Sequence, residues 1–435
     1  MALSRFFGRG RDDTSASAPP ADVEPEQSDE QFEPEVAEER SWRERAEAVL
    51  PTGASTGSKR AIALYGDDAV DLPTHFVSAR GAIVTDVRGA LFVDCTMALG
   101  AVALGYAEPR VTEAVIQAAS QGNVSALSSW REVELAERLC ALIPCAERVQ
   151  FLKTGADATA AAVRLARAYT GREEVIACGY FGWHDWSSDS AGVPVGIRKG
   201  VSWIPFDDVG ALELAVAAAG PSLAAIIVEP VVERQPSKAW LERLRDLCDK
   251  AGAVLVFDEI KTGFRVAPGG HQELSGVTPD LATFGKAMAN GYPLAAVVGR
   301  QPLMDAARDT WISSTLASES SSLAAALAVL DWHDEADICA TLAENGAGMR
   351  AAVERAIEAS GVDGVMTQGI DQMWLMRWSD TAREQRFVAH AMVNGVLFKR
   401  GAYNFAAIAH DESALLHIER AASAALVALV EEESH

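Results

Sequence analysis

Short apolar runs alternate along the chain with longer segments in which apolar residues recur every three or four positions. The runs are RVQFL (148–152), EVIAC (174–178), VSWIP (201–205), AAIIVEP (224–230), AVLVFDE (253–259), LATFG (281–285) and LAAVVG (294–299). Apolar stretches this short, rich in β-branched and aromatic residues, predict strands covered on both faces. The segments between them have helical spacing. Ala158–Tyr169 is stopped by Thr170-Gly171, and in Lys238–Lys250 the residues Leu241, Leu244, Leu247 and Cys248 form one stripe, with Gly252 placed to end the helix. Strand–helix alternation of this length predicts an α/β fold with a mostly parallel sheet of about seven strands. Upstream, Ala82–Asp94 reads as a hairpin turning at Arg88-Gly89. Downstream, an alanine-rich helix runs from Ser322 through Leu330 into a smaller mixed region, expected to be an α+β domain. There is no internal repeat.

A length of 435 residues suits two structural domains and an appendage. The expected division is an acidic tail over 1–40, a segment over 41–95 that joins the smaller domain, a large domain over 96–325 and the smaller domain over 326–435. The tail is set apart by composition: from Asp12 to Glu39 there are eleven acidic residues and no basic one. Such a segment cannot bury enough apolar surface to offset its ordering entropy and is expected to be disordered. Either it is a solvating tail or it docks a protein partner, with Phe6 and Phe7 as anchors.

The formal charge of −23 opposes binding to nucleic acid or to an anionic membrane. The first residues, MALSRFFGRGRDD, lack an apolar segment of signal-peptide length, and no stretch approaches a membrane-spanning run. A cytoplasmic location is expected. Cys95, Cys140, Cys145, Cys178, Cys248 and Cys339 form no Cys-x-x-Cys pair and read as buried apolar thiols, so no metal is expected.

Candidate chemistry sits where strands end. AVLVF turns acidic at Asp258 and Glu259, and LATF delivers Lys286 straight after Gly285. In open α/β sheets ligands lie outside the carboxyl ends of the strands, so one carboxylate and one amine would face the same crevice. A strand ending in Asp-Glu also describes a nucleotide hydrolase, but the position five before Gly285 is Asp280 and Ala287 follows Lys286, so the phosphate loop is absent. Thr154-Gly155-Ala156 carries a strand into a helix, whose first amides can hold a phosphate or simply be capped. Tyr180, Phe181 and Trp183 follow the strand EVIAC, where they can stack on a flat heterocycle or pack as loop or core residues.

The order TGADA, GYFGWHD, VEP, FDEIKTGFR, FGKAMANGYP and SSTLASES resembles the class III aminotransferases, pyridoxal 5'-phosphate enzymes of fold type I. The nearest subgroup is the one containing glutamate-1-semialdehyde aminomutase. The resemblance runs from about Glu44 to the C-terminus. It implies that Lys286 forms the Schiff base with the cofactor and that Asp258 faces the pyridine nitrogen and keeps it protonated. By the same resemblance Thr154, Gly155 and Ala156 form the phosphate turn, Tyr180 lies on the ring and Glu229 stands near the cofactor. Thr315 would reach the phosphate of a neighbouring subunit, which implies a homodimer.

Some positions depart from the family pattern. Ala156 and Asp157 replace a hydroxyl residue and a glutamate, which should remove a phosphate hydrogen bond worth roughly 0.5–1.5 kcal/mol. Phe181 replaces a histidine, and the segment after Val232 lacks a Gly-rich loop. For the substrate carboxylate the corresponding stretch offers Lys59 or Arg60, of which only Arg60 can form a bidentate pair; solvated surface charges are the alternative. Arg265 reads as structural within the TGFR turn.

Three functional classes remain at this stage. An aminotransferase takes a small-molecule amino donor and a carbonyl acceptor, whereas an aminomutase moves nitrogen within one molecule. Racemase and decarboxylase outcomes share the same cofactor. The third class is an inactive scaffold with a docking tail, which the Lys286–Asp258 pair opposes.

Overall fold

The computed structural model describes residues 41–66 and 72–434. The expected disorder of the acidic tail and its docking role fall outside these residues. The strands in chain order are β1 Phe76–Arg80, β2 Ile83–Asp86, β3 Leu91–Asp94, β4 Arg148–Leu152, β5 Glu174–Cys178, β6 Val201–Trp203, β7 Leu223–Val228, β8 Val254–Asp258, β9 Leu281–Phe284, β10 Ala295–Gly299, β11 Val365–Ile370, β12 Met373–Trp378, β13 Val396–Leu397 and β14 Asn404–Phe405. Each apolar run of the central region is therefore a strand.

Seven of them form one sheet in the order β4-β10-β9-β8-β7-β5-β6. The neighbours from β9 through β8, β7 and β5 to β6 are parallel, and β10 runs antiparallel to both β4 and β9. Every residue of β7, β8, β9 and β10 is buried, as strands covered on both faces require. One layer over the sheet contains the helix Gly155–Thr170, whose Ala158, Ala162, Leu165 and Ala166 pack with Ala225, Val256 and Val297. The other contains Lys238–Ala251, whose Trp240, Leu241, Leu244 and Cys248 pack with Ile226, Leu255 and Phe257. Leu247, expected on that stripe, is only partly buried at its edge. Gly171 and Gly252 end the two helices in the left-handed conformation, at φ +67° and +62°.

The hairpin β2–β3 forms as its Arg88-Gly89 turn predicts, and β3 pairs in parallel with β13 from the C-terminal region. A further sheet, β11-β12-β14, brings Asn404 and Phe405 beside Trp374 and Met373. One expectation needs correcting. The helix Glu412–Glu433 is long and apolar enough, at mean hydropathy 1.5, to meet the requirements of a membrane span. Here it is a core helix, with Ile418, Ala422, Ala425, Leu426 and Leu429 buried in the same cluster as Leu342, Met349 and Val353 of Ile338–Ser360. Five of the six cysteines are buried, and Cys140 is partly so.

Met97, Ala98 and Leu99 occupy the left-handed region in succession, at φ +43°, +51° and +59°. Non-glycine residues there cost of order 1–3 kcal/mol each and persist only where their surroundings fix them. Arg265 supplies part of that fixing, since it donates to Gly100 O at 2.9 Å and to Ala406 O at 2.8 Å. Its guanidinium also lies over the Phe405 ring, 5.0 Å from the centre, consistent with a structural part for this arginine.

Candidate active site

Adjacent parallel strands bring the carboxylate and the amine together. β8 and β9 pair in a register that sets Asp258 opposite Thr283, and Lys286 follows two residues beyond the end of β9. Asp258 is 3% exposed. Its Oδ1 accepts from the Thr283 hydroxyl at 2.8 Å and from the Ile260 amide at 3.1 Å, while Oδ2 has no partner among the described residues. Burial, reinforced by the neighbouring Glu229 carboxylate, raises Asp258 to about 7; the two hydrogen bonds and the charge of Lys261 limit the rise.

Lys286 begins a short turn, Lys286–Ala289, at φ +49°, with its amine 5.9 Å from the centre of the Phe405 ring. Among the described residues no hydrogen bond or ion pair occupies this amine, and the residue keeps partial solvent access. Burial, with the Lys261 charge next in weight, lowers it to about 8, against the opposing pull of Glu229 and Asp258. A lysine so placed has a substantial neutral fraction near neutral pH, which a nucleophile and proton carrier needs.

Ile260 joins the phosphate turn to this edge. A Cβ on Gly155 would come 2.6 Å from Ile260 Cδ1, and one on Gly285 would lie 3.8 Å from Ile260 Cγ1. The start of the helix Gly155–Thr170, the Asp258 turn and the residue before Lys286 therefore close on one side chain. Thr154 caps that helix: its hydroxyl accepts from Asp157 N at 3.1 Å, and its amide donates to Asp157 Oδ2 at 3.0 Å. The Thr154 amide is thus committed to the cap. The amides of Gly155 and Ala156 have no carbonyl within the helix to reach, and the hydroxyl hydrogen of Thr154 is still available to donate.

The loop after β5 spans the same region. Gly179 sits at φ +134°, where a Cβ would meet Glu229 Cγ at 2.6 Å, and Gly182 at φ +92°, where a Cβ would meet that of Ala156 at 2.4 Å. Tyr180 is thereby strung between Glu229 and the phosphate turn. Its amide donates to Glu229 Oε2 at 3.1 Å, and its ring is 74% exposed. Phe181, at the position expected to hold histidine, is instead a core residue: it is 2% exposed and packs on Trp203 and Trp186.

Among the described residues, no hydrogen bond or ion pair joins Lys59, Arg60 or Thr315 to Lys286 or Asp258. Lys59 is exposed at the rim of a mostly apolar cavity of about 290 Å³, walled by Tyr65, His75, Phe92, Val388 and Phe398. Arg60 is partly buried, and its Nε is buried with no hydrogen-bond partner among the described residues. Thr315 is exposed beside a cavity of about 400 Å³ bordered by residues 121–131 and 318–320. Four contributors escaped the sequence reading: Thr283, Lys261, Tyr403 and Phe405. The first two carry a signal, a hydroxyl inside an apolar strand and a cation inside the turn after Asp-Glu. The aromatic pair, more than a hundred residues downstream, carries none.

This donor set suits pyridoxal phosphate: an unpaired amine, a carboxylate oxygen with no protein partner, and free amides at a helix start, all gathered around Ile260 and Glu229. A fold type I sheet bearing such a set defines a pyridoxal-phosphate enzyme of amino transfer. The family profile described as Aminotransferase class-III matches residues 65–184 and 207–408, and the chain belongs to that family. It is 35% identical over 336 residues to a 3-aminobutyryl-CoA aminotransferase of Cloacimonas acidaminovorans (strain Evry), covering 75% of this chain and 80% of the relative. It is also 35% identical to a glutamate-1-semialdehyde 2,1-aminomutase of Sorangium cellulosum (strain So ce56), over 89% of this chain and 94% of the relative. Among solved structures, the FumI protein of Sphingopyxis sp. MTA144 in its PLP internal aldimine form superposes with a TM-score of 0.85 at 28% identity, covering 90% and 96% of the two chains. The protein is therefore an enzyme of pyridoxal-phosphate-dependent amino transfer, and its family implies a small-molecule amino donor and a carbonyl acceptor.

Proposed function

We propose that the enzyme is an intermolecular aminotransferase and that Lys286 is its nucleophile and proton carrier. The observation that carries this reading is the unpaired, partly accessible Lys286 amine, lowered to about 8 at the sheet edge that also holds Asp258. The cofactor, when bound, supplies an aldehyde for the amino group and a ring that accepts electrons from the substrate carbon. Asp258 Oδ2, which has no partner among the described residues, would hold the cofactor's ring nitrogen and its proton. The amides of Gly155 and Ala156, with the Thr154 hydroxyl, would hold the phosphate. Tyr180 would cover the ring, and Glu229 fixes the backbone of Tyr180. Lys286 would carry the proton that amino transfer moves to and from the substrate carbon, its amine being free to accept and return it.

Transfer between two molecules is favoured over the aminomutase outcome by the departures from that subgroup's pattern, among them Phe181, a core residue here where the pattern has histidine. Single-turnover spectra separate the two outcomes. An amino donor alone should bleach the visible absorbance stoichiometrically and yield a carbonyl product, and a separate acceptor should restore it. Isomerisation of a lone amino-aldehyde, with no donor bleaching the enzyme, would assign the mutase instead.

The proposal extends to a homodimer. Leu127, Trp130, Trp311 and Leu316 are 82%, 62%, 88% and 52% exposed, and Leu127 and Trp130 border the same cavity as Thr315. Large apolar side chains grouped this way mark an interaction surface. A second copy is the occupant that would make use of Thr315. Light scattering should give a dimer, and Leu127→Glu together with Leu316→Glu should weaken dimerisation about 30-fold or more. A native monomer would refute the assignment of Thr315.

A further inference from the structure

Two amines of this site rest on one pair of aromatic rings. Lys261 Nζ lies 4.8 Å from the centre of the Tyr403 ring, and Lys286 Nζ lies 5.9 Å from that of Phe405. The two ring centres are 5.9 Å apart. Lys261 is tied on its other side to Glu229 Oε1 at 2.8 Å, with side-chain exposures of only 14% and 7% for the two partners. Tyr403 is itself held, its hydroxyl accepting from Glu233 N at 2.7 Å. Glu229 in turn receives the Tyr180 amide on Oε2. One chain of contacts thus runs from Tyr180 through Glu229, Lys261 and Tyr403 to Phe405 and Lys286.

We propose that Lys261 is a positioning residue for the amine chemistry of Lys286, a fixed cation held by Tyr403 on the far side of the Tyr403–Phe405 ring pair and anchored by Glu229. This assignment rests on the aminotransferase reading for its purpose, but not for its test. The two amines have different surroundings and so different tasks. Burial works against the charge of Lys261, yet Glu229 and then Tyr403 more than offset it, so Lys261 is raised and stays protonated. Lys286 has no carboxylate paired to it and works against that permanent charge, which favours its neutral form. Glu229 adds a second function: by neutralising Lys261 it lets a cation persist in a buried site. The same carboxylate holds the backbone of Tyr180, so the electrostatic and steric arrangements of the site are set by one ion pair.

The test reads Lys286 directly in the full-length protein freed of cofactor. The rate of acetylation at Lys286 by acetic anhydride, quantified by peptide mass spectrometry, is followed against pH for the native chain, Lys261→Met and Lys261→Arg. Loss of a nearby like charge should move the midpoint up by about one pH unit, cutting labelling at pH 7 about tenfold. The arginine variant should restore it. A Lys261→Met midpoint equal to the native one, in a protein with native circular dichroism, overturns the proposal whatever the enzyme's activity. Should that variant fail to fold, Lys261→Gln, which can still donate to Glu229, carries the same expectation and the same refutation. Failure of the aminotransferase reading would show separately, as absence of donor bleaching in native enzyme whose labelling midpoint shifts as expected.

Discussion

A Lys286→Ala variant is expected to lose at least about 10²–10⁴-fold in turnover from proton transfer alone, and more from the missing nucleophile. Borohydride reduction of the cofactor-loaded protein should then fix no cofactor to the chain, whereas in the native protein the label should be found on Lys286. The competing amines make this a discriminating experiment. Lys261 is buried but charged against Glu229. Lys399 is buried beside Arg400 and bonds the Arg400 carbonyl at 3.3 Å. Lys153 is paired with Glu319 at 2.9 Å and donates to Pro293 O at 3.0 Å. Among these, only Lys286 combines a depressed pKa with no acceptor on its nitrogen. Turnover undiminished in the alanine variant, or a label found on Lys261, would remove the basis of the proposed mechanism.

What could be read from the sequence follows from the range over which each feature is determined. Strand identity is local, because runs such as AVLVF and AAIIV have nowhere stable to go except a sheet covered on both sides. Asp258 and Lys286 were legible for a related reason. Each stands directly at the end of its own strand, so the rule for ligands at carboxyl ends places both without knowledge of distant contacts. The Thr154 turn was legible as a helix start, capped or phosphate-holding; Asp157 engages one amide that a phosphate could have used, that of Thr154. Features built from distant segments were out of reach. Nothing around residue 403 announces that Tyr403 and Phe405 will underlie the two amines, since that depends on the pairing of Phe405 with Met373 and on Arg265 bridging to Ala406. Phe181 could be read as loop or core, and the two tryptophans beside it decide for the core. The left-handed turn at Met97–Leu99 has no local signature either, because none of those residues prefers that conformation; contacts from Arg265 help to impose it.

Asp258→Asn should have opposite effects on function and on the stability of the cofactor-free protein. In the native fold Asp258 rises from an ordinary 3.8 to about 7, chiefly through burial. Between those two values the folded chain holds a proton that the unfolded chain has released, so stability falls as pH rises through that window and the loss is complete above pH 7. Asparagine carries no charge to bury, and its carbonyl can still accept from Thr283 and Ile260. The cofactor-free variant should therefore match the native chain near pH 4 and exceed it above pH 7, by on the order of 2–4 kcal/mol. Cofactor reverses the order. A carboxylate facing a protonated ring nitrogen is stabilised by it, while an amide gains little, so cofactor should raise the native melting temperature far more than that of the variant. Turnover should fall about 10²–10³-fold, the usual cost of removing one preorganised electrostatic partner of developing charge. Thermal melts at pH 4 and pH 8, with and without cofactor, test both directions at once. An asparagine variant less stable than native at pH 8 without cofactor would mean that Asp258 is not a strained acid, and an equal thermal shift on cofactor binding would mean that its Oδ2 does not face the ring nitrogen.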